Sequence, residues 1–363
     1  MTEKTLTDIY DIHRSQPDVS LERHVRKRRL ELGVEVSSKC RIYLDLRFWI
    51  LLREAYIEKQ INKSTEILLN RLIALVESGR AICPISESVF VELLKQDDPT
   101  SRIATAKLID TLSCGVTLIV HPDRVRQELC NALYERAGAE NLIPAEQLVW
   151  TKLSSILGDV HPSGTPFGAA EELVIQKAFY DHMWDVSLIE IVKSINPARM
   201  PTKDWEATAK RLNEGNKQHE KEITNYRTAY RFEFEGCLSL FRREMLVLFK
   251  EIEATGFHSI NKRYSHLSES ARFAAFSRSV RTLHIGASCH AAIRWDKKRM
   301  LTGNDLFDFH HAEAALGYCD IFLTEGPLKT LLSQNHLELK GNFPCKIVSS
   351  VTEAVEAIDA IDG

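Results

Sequence analysis

Apolar residues follow two different rhythms along this chain. The short run "IYL" at 42–44 is bounded by polar residues and fits a strand that is buried on both faces. Similar runs occur at 80–85 and 116–120, and the sequence between the runs has the 3.6-residue period of amphipathic helices. Strands that alternate with helices in this way predict a parallel α/β sheet.

The strand pattern stops near residue 121 and returns only after residue 305. The intervening text is mostly helical in period, while the runs at 320–324 and 345–350 again fit buried strands. The residues beyond 305 are too few to bury a core alone. We therefore predict one Rossmann-like α/β sheet that is interrupted by a large, mostly α-helical insertion.

This pattern divides the chain into four parts. They are a polar lead-in at 1–39, the first half of the α/β domain at 40–130, the helical insertion at 131–300 and the second half at 301–363. The chain has no apolar stretch of about 20 residues and no apolar core near its start, so we expect neither a membrane span nor a signal peptide. Eight scattered cysteines without a CxxC pair favour a cytoplasmic protein with reduced thiols.

The net charge of −3 conceals an uneven distribution. Residues 193–300 carry 21 Lys or Arg against 12 Asp or Glu, a balance of +9, so the rest of the chain carries −12. A basic segment of this kind fits a nucleic-acid partner, and Arg227 and Arg231 lie among aromatic residues as candidate phosphate contacts. The alternatives are a solvated helical surface, or a docking face for a protein partner or a second copy of the chain.

Six acidic residues lie near the ends of predicted strands. They are Asp45, Glu92, Asp305, Asp308, Asp320 and Glu325. Ligands of parallel α/β sheets bind beyond the carboxyl ends of the strands, so we expect Asp45, Glu92 and Asp308 to converge there as catalytic metal ligands. The other three acids would complete the ligand set. The alternative is that each acid is a helix cap or a surface residue.

A cluster of carboxylates favours Mg²⁺ or Mn²⁺, which prefer oxygen ligands. Such cations activate water and stabilise the leaving oxygen when a phosphodiester is hydrolysed. Arg47, two residues after Asp45, and His311, three residues after Asp308, are the neighbouring candidates for contact with nucleic acid. For both side chains the alternative is an ordinary role, as a solvated arginine and a hydrogen-bonded helix histidine.

Three segments of the chain resemble the PIN-domain ribonucleases. They are "YLDLRFW" around Asp45, "PISESVFVELLK" with Glu92 and "NDLFDFHHAEAALGYCDIFLTEG" with Asp308. The resemblance covers residues 40–125 and 301–363. It implies a PIN-type fold, a site for Mg²⁺ or Mn²⁺, and endoribonuclease activity on single-stranded or structured RNA.

The chain departs from the family pattern at the fourth acid. The family usually places this acid two residues after the Thr that ends a strand, and Gly326 occupies that position here, next to Glu325. Either Glu325 reaches in, or Asp320 contributes, or the site holds one metal ion. The resemblance predicts an endoribonuclease, for which a toxin or a defence nuclease is one setting. The alternatives are a catalytically silent nucleic-acid-binding scaffold and a helical partner-binding protein.

Overall fold

The protein is mostly helical and is built around a small parallel sheet. The computed structural model describes residues 6–57, 62–195, 204–255 and 270–362. The strands are β1 (Cys40–Leu44), β2 (Ala81–Ile82), β3 (Val116–Leu118), β4 (Trp150–Lys152), β5 (Ile321–Leu323) and β6 (Lys346–Val348). Four of them form one sheet in the order β2-β1-β5-β6, and all neighbours are parallel.

The helices fall into groups along the chain. The first are α1 (Leu6–Arg14), α2 (Leu21–Ser37), α3 (Leu46–Tyr56), α4 (Lys63–Glu77), α5 (Glu87–Leu94) and α6 (Pro99–Ser113). The next are α7 (His121–Ala137), α8 (Ala145–Leu148), α9 (Ala169–Trp184), α10 (Leu188–Ser194), α11 (Trp205–Gln218), α12 (Tyr226–Ser239), α13 (Arg242–Ala254), α14 (Ser270–Ser279) and α15 (Arg281–Trp295). The last are α16 (Gly303–Tyr318), α17 (Gly326–Leu332), α18 (Leu339–Asn342) and α19 (Val351–Asp362). None of these described helices is long and apolar enough to cross a membrane.

The pairing of β1 with β5 joins the two ends of the chain. Ile42 is opposite Ile321, and Leu44 is opposite Leu323, although almost 280 residues separate the two strands. The run 42–44 is fully buried, as predicted for a strand that is covered on both faces. Because both strands end at the same edge, the residues that follow Leu44 and Leu323 meet at the carboxyl end of the sheet.

The predicted third strand is present but does not belong to the parallel sheet. β3 pairs antiparallel with β4 in a separate two-stranded sheet. A parallel bridge between Ile85 and Thr117 links β3 to the chain that leaves β2. β4 lies in the segment that we predicted to be mostly helical. Its buried residues, Trp150 and Thr151, suit a strand, but three residues are too few to show a period.

The first 39 residues are more than a polar lead-in. α2 packs against α8 and β4, and its apolar residues Leu32 and Val36 are buried. Gly33 permits this close approach, because a Cβ at that position would lie 1.9 Å from the carbonyl oxygen of Gln147. Within the described residues, α2 therefore forms part of the packed fold.

The helices of the insertion cover the outer side of α16. α12 packs on α15, and α15 packs in turn on α16. A second apolar core between these helices and α7 includes Leu133, Phe234 and Phe276. α16 therefore lies between the sheet and the insertion, and this position matters because α16 carries Asp308.

Candidate active site

Asp45 lies at the carboxyl end of β1, where it begins a helix. Its Oδ1 accepts a hydrogen bond from the backbone N–H of Phe48 at 3.1 Å and so caps α3. Its backbone N–H donates to the carbonyl of Leu323 at 3.0 Å, which ties it to the end of β5. Asp45 is only 7% exposed, and burial raises its pKa to about 6 against the opposing effects of His311 and of hydrogen bonds from Phe48 and Thr324.

Asp308 lies on α16, half-buried beside the same edge of the sheet. Burial raises its pKa to about 7, and the negative charges of Glu325 and Asp45 raise it further, against the opposing charge of His311. Asp308 also lies three residues before His311, whose Nδ1 is 2.8 Å from the hydroxyl of Tyr43 on β1. Asp308 is therefore near the end of β1 that carries Asp45, and Glu325 follows the neighbouring strand β5.

Glu92 is held at the site by His311. The imidazole Nε2 of His311 is 2.8 Å from Oε2 of Glu92, and its Nδ1 is 2.8 Å from the hydroxyl of Tyr43. That hydroxyl is in turn 2.6 Å from the hydroxyl of Ser86. His311 is only 2% exposed, so it lies behind Glu92 and orients its carboxylate instead of facing a surface open to nucleic acid. Burial alone would lower the pKa of His311, but the bond to Glu92 and the surrounding carboxylates raise it overall.

Two of the predicted acids do not join this group, because each has another partner. Asp320 pairs with the guanidinium of Arg41, from Nε at 2.9 Å and Nη2 at 2.7 Å, at the amino end of β5. That end is opposite the end that carries Asp45. Asp305 forms a capping box with Thr302 at the start of α16 and pairs with Arg299. The expectation that Asp320 completes the ligand set is therefore not met. Asp305 is close enough for its charge to raise the pKa of Asp308, but Arg299 already neutralises it.

Glu325 is the acid that the structure leaves for the fourth position. It directly follows Thr324, is half-buried and makes no capping bond to α17 with its side chain. Its charge acts on both Asp45 and Asp308. Of the alternatives that Gly326 leaves open, the geometry favours Glu325 over Asp320.

A cavity of about 510 Å³ opens beside Glu92. Leu46, Lys95, Trp205, Asn304 and Phe307 are among the residues that line it. The Lys95 ammonium lies 3.9 Å from the centre of the Phe307 ring, and Trp205 packs on the same ring. Lys95 is not among the residues predicted from the sequence, although its position three residues after Glu92, at the end of α5, is a usable signal.

The predicted arginine contacts lie in different places. Arg47 is exposed in the first turn of α3, two residues from Asp45. Arg227 and Arg231 line a separate cavity of about 360 Å³, and α15 separates their helix from α16. Arg231 also pairs with Glu235 at 2.7 Å. Of the three arginines, only Arg47 is next to the acidic cluster.

The donor atoms at the carboxyl edge suit a hard divalent cation. Within the described residues, no Lys or Arg forms an ion pair with Asp45, Asp308 or Glu325. All the donors are carboxylate oxygens, which Mg²⁺ and Mn²⁺ prefer. These acids are not among the described groups whose ligand atoms all lie within 4.8 Å of one another. Ligands on opposite sides of a Mg²⁺ ion are about 4.2 Å apart, so no three of these carboxylates bind one ion directly as placed, and the others would bind it through its waters.

Comparison with protein-family models, with curated proteins and with solved structures finds no match for this chain. Function is therefore inferred from the residues and their geometry.

Proposed function

We propose that this protein is a metal-dependent endoribonuclease with a PIN-like catalytic domain. The observation that carries the proposal is that Asp45 and Glu325 follow neighbouring parallel strands at one edge of the sheet, with Asp308 on the helix beside them, and that none of the three has a lysine or arginine partner in the described chain. Buried carboxylates repel one another, and a bound cation removes that cost. The carboxyl edge is also where ligands bind to sheets of this type.

Each acidic side chain has a distinct part in holding the cation. Asp45, Glu92 and Asp308 would be the principal ligands for Mg²⁺ or Mn²⁺, directly or through bound water, with Glu325 beside them. When bound, the cation supplies charge stabilisation and water activation for phosphodiester hydrolysis. The hydrogen bond from Phe48 fixes the orientation of Asp45. His311 fixes one oxygen of Glu92 and leaves Oε1 without a hydrogen bond to the described residues.

The cavity beside Glu92 fits a nucleotide of a single strand. Its volume of about 510 Å³ lies within the usual range for small-ligand sites, roughly 300–1,000 Å³. Trp205 offers an aromatic wall on which a base can stack. Lys95 in the cavity and Arg47 beside Asp45 supply positive charge for the flanking phosphates. These features suit a single-stranded nucleic acid, and the choice of RNA rests on the resemblance to the PIN-domain ribonucleases.

The test is cleavage of end-labelled single-stranded RNA by the full chain, in Mg²⁺, in Mn²⁺ and in EDTA, with single-stranded DNA of the same sequence run in parallel. We expect internal cleavage of RNA with either metal and none in EDTA. Cleavage that persists in EDTA would contradict the proposed site. RNA binding without cleavage in any metal would support the silent-scaffold alternative instead.

A further inference from the structure

A second group of potential ligands lies on the face of α16 opposite Asp308 and His311. It consists of His121, His310 and Glu313, and their ligand atoms all lie within 4.8 Å of one another. Oε2 of Glu313 is 2.9 Å from Nδ1 of His310 and 3.3 Å from Nε2 of His121. The side chains of the two histidines are 26% and 23% exposed, so solvent reaches the group.

Glu313 is a buried carboxylate that packs against a glycine of the neighbouring helix α15. Its other oxygen, Oε1, lies against Gly286 of α15, where a Cβ would come within 2.1 Å of it. Burial alone would raise the pKa of Glu313, but His310 and His121 outweigh it and hold the pKa well below its ordinary range. No lysine or arginine of the described chain forms an ion pair with it. Within the described residues, the two imidazoles are thus the ion-pair partners of this buried carboxylate.

Other contacts hold the backbone of His121 and the ring of His310, and the two rings pack edge-on with their centres 5.2 Å apart. The backbone N–H of His121 donates to Oε1 of Glu87 at 2.7 Å, which fixes the start of α7. The His310 ring packs edge-on against Trp205, with ring centres 5.3 Å apart. Rings that are held in this way lose little freedom when they bind a ligand.

We propose that Nε2 of His121, Nδ1 of His310 and Oε2 of Glu313 form a binding site for a transition-metal ion such as Zn²⁺. Two imidazoles and one carboxylate, with a fourth position open to water, are a known ligand set of accessible zinc sites. Ligands at zinc distances of about 2.0–2.2 Å lie roughly 3.3 Å apart around a tetrahedral ion. The present separations of 2.9 and 3.3 Å are close to that value. The nitrogen donors distinguish this site from the all-oxygen cluster at Asp45.

Another histidine–carboxylate group is less suited to a metal ion. His13 and His24 contact the two oxygens of Asp181 at 2.8 and 2.9 Å. Arg28 lies 3.5 Å from the same carboxylate, so a permanent cation already neutralises Asp181. This group therefore serves as an internal comparison.

The proposed ion would join two distant parts of the chain. It would hold the first residue of α7 against α16, the helix that carries Asp308 and His311. The site does not depend on nuclease activity, so it can be tested by metal binding alone.

The experiment is a calorimetric titration of the metal-free full chain with Zn²⁺, in excess Mg²⁺ to occupy oxygen-only sites. We expect one Zn²⁺ per chain and a higher melting temperature. His121→Gln, His310→Gln and Glu313→Gln should each weaken binding by at least about 10–100-fold, the loss expected from a metal site's outer partner alone. X-ray absorption of the zinc-loaded protein should show two imidazoles and no sulfur ligand.

Two variants serve as controls. His219 and Glu222 form a contact at 2.7 Å with the same three-residue spacing, but they are exposed, so His219→Gln should leave Zn²⁺ binding unchanged. His24→Gln disrupts the group around Asp181 and should also leave it unchanged. The proposal is overturned if Zn²⁺ does not bind, if the ligand variants bind as wild type does, if His24→Gln removes the site, or if sulfur ligates the ion.

Discussion

Acids lie at both ends of the short strand β5, but only those at one end are neutralised by a basic side chain of the described chain. At the amino end, Asp320 is paired by two hydrogen bonds with Arg41. At the carboxyl end, Asp45 and Glu325 follow paired strands and Asp308 lies on the adjacent helix, and none of the three has a lysine or arginine partner in the described residues. The two ends of β5 are three residues apart, which is roughly 10 Å along the strand. An acid at a strand end is therefore a candidate metal ligand only where no fixed cation already neutralises it.

The largest expected effect concerns catalysis at the carboxyl end. Asp45→Asn removes an ionised ligand but keeps the size and the helix-capping ability of the side chain. We expect the RNA cleavage rate to fall by several orders of magnitude in Mg²⁺ or Mn²⁺, because the cation loses a principal ligand. The rate is measured by single-turnover cleavage of labelled RNA.

Asp320→Asn is the matched control for that measurement, since it makes the same change at the other end of β5. The variant should cleave at nearly the wild-type rate at a temperature where it is folded. Equal losses in both variants would show that the acids differ in position but not in role.

The next effect is a pH dependence of stability in metal-free buffer. The pKa of Asp308 is raised to about 7 from an ordinary value of 3.8, so the folded protein binds this proton more tightly than the unfolded chain does. The penalty for ionising Asp308 is absent below about pH 4 and complete above about pH 7. Asp308→Asn should therefore raise the free energy of unfolding by about 1–3 kcal/mol at pH 8, with no gain near pH 4.

Urea denaturation in EDTA at the two pH values measures this difference. Added Mn²⁺ should reverse the order of stabilities at pH 8, because the wild type binds the cation and the variant lacks a ligand for it. A variant that is less stable than the wild type at pH 8 without metal would contradict the electrostatic interpretation.

A smaller effect is expected from the paired end of the strand. Asp320→Asn leaves the guanidinium of Arg41 with a neutral partner, so the free energy of unfolding should fall by about 1–2 kcal/mol at neutral pH. The same urea experiment should show no comparable loss for Asp45→Asn in EDTA. Equal destabilisation by both substitutions would remove the contrast between the two ends.

The smallest effect concerns the insertion. Reversing charge at Arg227 and Arg231 should weaken binding of a long RNA and flatten its dependence on salt by about 0.7 per lost phosphate contact. Cleavage of a very short RNA should be unchanged, since α15 separates these residues from α16. Binding isotherms at several salt concentrations make the measurement. Isotherms that respond to neither salt nor the double reversal would favour the alternative of a partner-binding insertion.

Features that depend on neighbouring residues were predictable. The apolar run at 42–44 identified β1. The position of Asp45 after β1 follows from the same run. Strands of two or three residues, such as β2 and β4, carry too little pattern to fix their bounds or their partners.

What the sequence by itself determined is the order of strands and helices, and hence which acids fall near strand ends. Only the tertiary structure decided which acids are neutralised. The partners of Asp320 and Glu92 lie 279 and 219 residues away along the chain. The space that the Glu313 side chain occupies likewise depends on a glycine of another helix. The reason is physical: periodicity reflects contacts within a few residues, whereas charge neutralisation and metal ligation depend on side chains that only folding brings together.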